Sequence, residues 1–266
     1  MEYRKYADGK FLMVEDSASE KNLMVSKHYH NVFEIYFLMQ GTCRYFIDNK
    51  LYTVEAGDLI LIPEGTLHKT MYDGGYHARR LINCSAHFIP SGVMDQLSSF
   101  FHLYRNPTLL PKIRELFDSI HREFSNPDEF SEDILLGYLH LLFYTLVRGA
   151  DTCESVQTDN IYTAQAISYI KEHYDREITL TDLAKLTAVS PEHLSRLFKK
   201  ETGFGFSEYL SMFRLQKAEE MLRSDPHVRI CDVAFACGFS DSNYFSDKFK
   251  QTYGVSPIKI RNKTVK

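Results

Sequence analysis

The chain has 266 residues, enough for one or two domains, and its 44% hydrophobic and 25% charged content is that of a globular protein rather than a disordered or fibrous one. No apolar run approaches the roughly 18 residues of a spanning helix. The first thirty residues lack the basic start and apolar core of a signal peptide. Five cysteines (Cys43, Cys84, Cys153, Cys231 and Cys237) include no CxxC pair, which argues against a disulfide framework or a thiolate zinc site and for a reducing cytoplasm. The net charge of −4 divides unevenly: residues 1–158 carry 15 Lys and Arg against 21 Asp and Glu (−6), and residues 159–266 carry 16 against 14 (+2). The C-terminal part therefore permits nucleic-acid binding without requiring it.

In chain order, the first elements read as short strands. FEIYFLM, RYFI, LYTV, DLILI and HKTMY are β-branched and aromatic, and turn signals separate them at Asp48-Asn49, Gly57-Asp58, Pro63-Glu64-Gly65 and Asp73-Gly74-Gly75. Such spacing predicts a β-barrel or sandwich up to about Phe88. From Pro111 to Arg148 the period becomes helical, with a break at Asn126-Pro127. The second half, ILLGYLHLLFYTLV, is apolar nearly all round and should bury more than one face. The polar run Gly149 to Asn160 reads as a linker, and from Ile161 onward the pattern is helix and short turn.

Two stretches in this last part share one plan. In the first, Thr179 and Asp182 form a capping-box start, Thr187-Ala188-Val189 makes a turn, and Ser190 caps a helix with Pro191 at its first position. Leu194, Leu197 and Phe198 should point inward. Glu192, Ser195, Arg196 and Lys199 should form a polar stripe opposite. Gly203 is suited to a left-handed stop. About fifty residues later, Val233, Ala234 and Cys237 point inward, a turn falls at Gly238-Phe239, and a helix capped by Ser240 or Asp241 buries Tyr244, Phe245 and Phe249. Its stripe is Asn243, Ser246, Asp247 and Lys250, with Ser242 on the rim. An amphipathic helix, Ser207 to Arg223, joins the two. One helix-turn-helix read from periodicity is weak evidence. Two joined by a long helix are specific.

Residues 161–262 resemble the DNA-binding domain of the AraC/XylS regulators, through ITLTDLAK, SPEHLSRLFKKETG, FSEYL, DVAFACGFSDSNYFSDKFK and GVSP. The resemblance implies that one monomer places both recognition helices in successive major grooves of double-stranded DNA. It puts Glu192, Ser195 and Arg196, then Ser242, Asn243 and Ser246, toward bases. Lys199, Lys200, Lys248 and Lys250 would meet phosphates. Asp247 stands where many relatives carry a basic residue, which implies a weaker second unit.

Upstream, HYHNVFEIYFLMQG (His28 to Gly41) and GDLILIPEGTLH (Gly57 to His68) resemble the two cupin motifs, HxHxxxE with a glycine seven residues on and GxxxxxPxGxxH. Asn22 and Tyr72 depart from the usual residues at two further motif positions. The resemblance places His28, His30, Glu34 and His68 at metal-ligand positions, with Tyr36 beside them. Three imidazoles and a carboxylate suit zinc, nickel, iron or manganese. The same residues serve equally as the wall of an effector pocket, and a sugar is the leading ligand class. Nothing marks an acid, base or open coordination site, so no catalytic residue is assigned and no enzyme activity is expected.

The expected architecture is two-domain α+β. Residues 1–108 form a cupin-like effector-binding barrel, 109–149 a helical dimerisation segment, 150–160 a linker and 161–262 an all-α double helix-turn-helix. The implied protein is a cytoplasmic homodimeric regulator that binds operator DNA and a small molecule, and RNA polymerase if it is an activator. A metal-dependent cupin enzyme with an appended DNA domain and an effector-independent DNA-binding protein are the alternatives.

Overall fold

A computed structural model describes residues 3–5, 10–19, 32–47, 50–72, 74–93, 96, 102–149 and 161–263. His28, His30, Asn22, Cys153 and the expected linker 150–160 lie outside them. The chain divides into two compact units, one holding residues 52–157 with most of the N-terminal segment and the other holding 158–266.

The N-terminal unit contains strands β1 (Tyr3–Lys5), β2 (Phe11–Ser19), β3 (Phe33–Gln40), β4 (Thr42–Ile47), β5 (Lys50–Glu55), β6 (Leu59–Ile62), β7 (His68–Met71), β8 (His77–Cys84) and β9 (Leu103–Tyr104). They form two sheets, ordered β1-β2-β8-β3-β6-β9 and β5-β4-β7. Among the described residues the two sheets are not joined into a closed barrel, and they face each other across a shared core. Phe33, Ile35 and Phe37 of β3 face helices α1 (Leu110–Ser125) and α2 (Ser131–Arg148) in one core. Tyr36 and Leu38, on the opposite face, meet Cys43, Tyr45 and Tyr52 of the small sheet in a second core. Residues 33–38 are therefore buried on both faces. This is why the strand reads FEIYFL, apolar on nearly every residue instead of on alternate ones.

Gly41 closes the β3–β4 turn at φ +88°, where a Cβ would stand 2.6 Å from the Tyr76 carbonyl oxygen. The glycine seven residues after Glu34 thus has a backbone role.

The C-terminal unit contains α3 (Ile161–His173), α4 (Leu180–Thr187), α5 (Pro191–Thr202), α6 (Phe206–Ser224), α7 (Ile230–Ala236), α8 (Ser242–Tyr253) and α9 (Pro257–Lys263). The long helix α6 serves both halves. Near its start, Tyr209 packs edge-on against Phe198 of α5 at 5.4 Å. Near its end, Leu215, Ala218 and Leu222 share a core with Val233, Ala234, Phe245 and Phe249. Between them Arg214 donates from Nε to the Tyr174 carbonyl and from a terminal nitrogen to the Arg176 carbonyl, both at 2.7 Å. Its guanidinium also lies 6.0 Å from the Phe239 ring. One side chain thereby joins the end of α3, the linking helix and the turn of the second motif.

Candidate nucleic-acid interface and effector pocket

The two motifs are built on one local frame. In the first, the Thr179 hydroxyl accepts from the Asp182 N–H and the Asp182 carboxylate accepts from the Thr179 N–H, a complete capping box. Ala188 takes the left-handed conformation at φ 55° and turns the chain into α5. Ser190 caps α5 by accepting from the His193 N–H at 3.2 Å, and Gly203 ends it at φ 76°. In the second, Gly238 occupies the left-handed turn, Asp241 caps α8 by accepting from the Tyr244 N–H at 2.7 Å, and Gly254 ends it at φ 72°. From each N-cap, the residues four and eight positions on are fully buried: Leu194 and Phe198 after Ser190, Phe245 and Phe249 after Asp241. The caps therefore set the two helices in register at an offset of 51 residues.

On that frame the outward residues can be paired. Glu192, Ser195, Arg196, Lys199 and Lys200 are all exposed on α5. Asn243 and Lys250 are exposed on α8, and Ser242 and Ser246 are half-buried. Glu192 corresponds to Asn243, Ser195 to Ser246, Arg196 to Asp247 and Lys199 to Lys250. One sequence expectation changes. Tyr244 is 53% exposed rather than inward, because only the four- and eight-residue positions of the helix reach the core. At the exposed Glu192, its own backbone N–H and the Ser190 hydroxyl hold the carboxyl below its usual pKa, with a smaller contribution from Arg196. The Ser246 hydroxyl donates to the Ser242 carbonyl at 2.8 Å, leaving its lone pairs outward.

The space between the two sheets holds a second polar constellation. Of the four expected cupin positions, the described residues include Glu34 and His68, both about 95% buried. The structure brings them together, with Glu34 Oε1 4.0 Å from His68 Nε2. His68 donates from Nδ1 to the Thr66 carbonyl at 2.8 Å, which turns Nε2 toward the carboxylate. The Tyr45 hydroxyl donates to Glu34 at 3.2 Å. Burial, and then the Glu34 charge, push the Tyr45 pKa well up, so this phenol stays a donor. Tyr36 belongs to an adjoining group: its hydroxyl is 3.1 Å from that of Tyr72 and 3.6 Å from Cys43 Sγ. Burial holds both of these tyrosines above the usual phenol range.

Strand β8 supplies residues that sequence reasoning missed. His77, Arg79 and Asn83 share the parity of Leu81, which faces the inter-sheet core. Asn83 lies directly across from Glu34, His77 stacks on Tyr72 at 3.8 Å, and Arg79 reaches Glu15 of β2 at 3.4 Å. Among the described residues Glu15 Oε2, His77 Nδ1 and Asn83 Oδ1 are buried without a hydrogen-bond partner. Alternating polar residues in HARRLINC were the available signal, but that Asn83 falls opposite Glu34 depends on a strand register that sequence leaves open.

A fit for a metal is only partly met. Glu34 and His68 could both ligate, yet among the described residues no three His, Cys, Asp or Glu side chains gather into a site. His28 and His30 lie outside the described residues.

Residues 17–140 match the family described as the AraC-like ligand binding domain, and residues 183–263 match a helix-turn-helix domain. Together these account for 205 of the 266 residues. The chain belongs to the AraC family of transcriptional regulators. Among its relatives is the HTH-type transcriptional activator RhaS of Klebsiella pneumoniae (strain 342), 26% identical over 248 residues that cover 88% of this chain and 87% of that one. The C-terminal domain of AraT, a response regulator from Geobacillus stearothermophilus, is 35% identical across 39% of this chain and 86% of its own, at a TM-score of 0.38. ToxT from Vibrio cholerae O395 is 18% identical, covering 94% and 97%, at a TM-score of 0.40. In this AraC-family chain α5 and α8 are the second helices of the two helix-turn-helix motifs, and the inter-sheet constellation lies in the ligand-binding domain.

Proposed function

We propose that this regulator is a transcriptional activator whose hold on operator DNA is set by a small molecule between its two β-sheets, without catalysis. The observation that carries the DNA half is the common cap frame of α5 and α8, which turns the same polar face outward twice. Arg196, Asn243, Ser195 and Ser246 meet base edges, while Lys199, Lys200 and Lys250 meet phosphates. Glu192 and Ser242 act at the rims, the first by fixing the start of α5. As an activator bound in the cytoplasm, the protein presents a further face to RNA polymerase. No helix among the described residues is long and apolar enough to cross a membrane.

The effector is bound by Glu34, Tyr36, Tyr45 and His68, with His77, Arg79 and Asn83 from β8; His28 and His30 complete the set if the motif holds. Two buried acceptors and an imidazole nitrogen without partners among the described residues call for a ligand rich in hydroxyls, which favours a sugar. A divalent metal, if held, would use Glu34 and His68 with His28 and His30, and would supply a Lewis-acid anchor for a ligand oxygen. Native mass spectrometry of the full chain as purified reads ligand, metal and oligomer together. A monomer carrying no adduct, whose DNA affinity no candidate sugar alters, contradicts the sensor role.

Residues 1–108 act as the sensor, 109–149 as the dimerisation segment, 150–160 as the linker and 161–262 as the reader. The dimer is supported by a stripe on α2. Phe130, Ile134, Leu141 and Tyr144 are exposed apolar residues, and with Gly137 they repeat every four and three positions, the spacing of a two-helix seam. The inward residues Leu135, Leu139, Leu142 and Leu146 are separate, so the stripe is free for a second copy. Leu141→Asp, at a residue 45% exposed, should leave the fold intact and dissociate the dimer. Sedimentation velocity checks this, and an unchanged dimer mass would place the interface elsewhere.

A further inference from the structure

The cap frame sets Asp247 in the place of Arg196. Each stands six residues after its N-cap, 190 to 196 and 241 to 247, and each is exposed. The residues two turns around them agree: buried phenylalanines follow two positions later, at Phe198 and Phe249, and lysines three positions later, at Lys199 and Lys250. Asp247 is therefore on the reading face of α8 and not on its flank. Its carboxylate makes no ion pair or hydrogen bond among the described residues. It is not spent on a cap, unlike Asp241, or on a helix-surface pair such as Arg229–Asp232. It also forms part of a shallow surface groove of about 420 Å³ with Tyr244, Lys248, Lys250 and Gln251. Cations thus border it on the same helix, where the DNA backbone would pass.

A carboxylate facing a phosphate repels it, whereas a carboxylate facing a base edge has one good partner in the major groove, the N4 amino group of cytosine. We infer that Asp247 is a specificity-determining residue, and that the second recognition helix selects a cytosine through it as the first selects a guanine through Arg196. Lys248 and Lys250 supply the phosphate attraction that offsets the negative charge. This inference rests on the proposed reading that both helices enter the major groove. On that reading the cytosine lies about ten base pairs, one helical turn, from the guanine.

The test uses the full chain and a library of duplex DNA with both half-sites randomised, comparing wild type, Asp247→Ala and Asp247→Asn. Wild type should favour cytosine at one position of the second half-site by about fivefold to tenfold. Asp247→Ala should lose that preference. Asp247→Asn should move it to adenine, whose N6 and N7 pair with an amide. The guanine preference of the first half-site, unchanged in both variants, shows that the domain is folded. If Asp247→Ala and Asp247→Asn only raise affinity for every duplex alike, the residue is a repulsive flank and the inference is wrong. It is equally overturned if wild type selects guanine in the first half-site but no base at the second position. Loss of all sequence preference in wild type instead defeats the underlying reading of α5 and α8.

Discussion

Gly238→Ala should destabilise the C-terminal unit by about 3 kcal/mol and abolish contact with the second half-site. A Cβ at this position would stand 2.5 Å from the Tyr174 carbonyl oxygen and 2.9 Å from the Arg214 guanidinium carbon. Neither neighbour is free to yield, because Arg214 is already bonded to Tyr174 and Arg176. The left-handed backbone alone is not the obstacle. Ala188 adopts φ 55° in the equivalent turn of the first motif, so an L residue is tolerated where space exists. Gly254→Ala provides the control. Its φ is +72° and nothing lies within 4 Å of its Cβ site, so only the backbone cost of about 1–2 kcal/mol applies. Urea unfolding of the two variants separates the terms. Equal losses would mean that the Arg214 junction yields, and that the two reading heads are not rigidly joined through it.

Arg196→Ala should cost about 1–3 kcal/mol of DNA affinity and remove preference at one base pair. Arg196 is exposed, it projects away from the buried pair Leu194 and Phe198, and its guanidinium offers two parallel donors that match guanine O6 and N7. Lys199 lies almost one turn further along α5 and is better placed for the backbone. Its replacement by alanine should weaken all duplexes alike and lower the salt dependence by about one counterion.

The DNA-reading unit was legible in the sequence because its signals are local. Thr179, Asp182, Ser190, Pro191 and Gly203 each fix a cap or a stop by their own chemistry, and the second motif repeats the plan. The polar stripes already align Glu192, Ser195, Arg196 and Lys199 with Asn243, Ser246, Asp247 and Lys250, and the caps at Ser190 and Asp241 fix that register. Periodicity could not place Tyr244, because an aromatic flanking Phe245 looks apolar in any helical window. The effector constellation was half legible. Glu34 and His68 follow from two spaced motifs, and they do converge. Tyr45 reaches Glu34 from the facing sheet, Asn83 sits across from Glu34 on the neighbouring strand and Arg79 reaches Glu15, all of them non-local contacts. The strand content of the barrel-like domain was legible, whereas the order of its strands in two sheets is set by pairings between distant segments.

The most direct measurement is competition binding of the intact chain, wild type against Arg196→Ala, over duplexes randomised at the first half-site and at two salt concentrations. The predicted result is a loss confined to sequences carrying the preferred base pair, with the variant's remaining affinity flat across the library and its salt slope nearly unchanged. A uniform loss across all sequences, with the wild-type preference pattern intact and the salt slope reduced, would make Arg196 a phosphate clamp and contradict the assignment of α5 as the helix that reads bases.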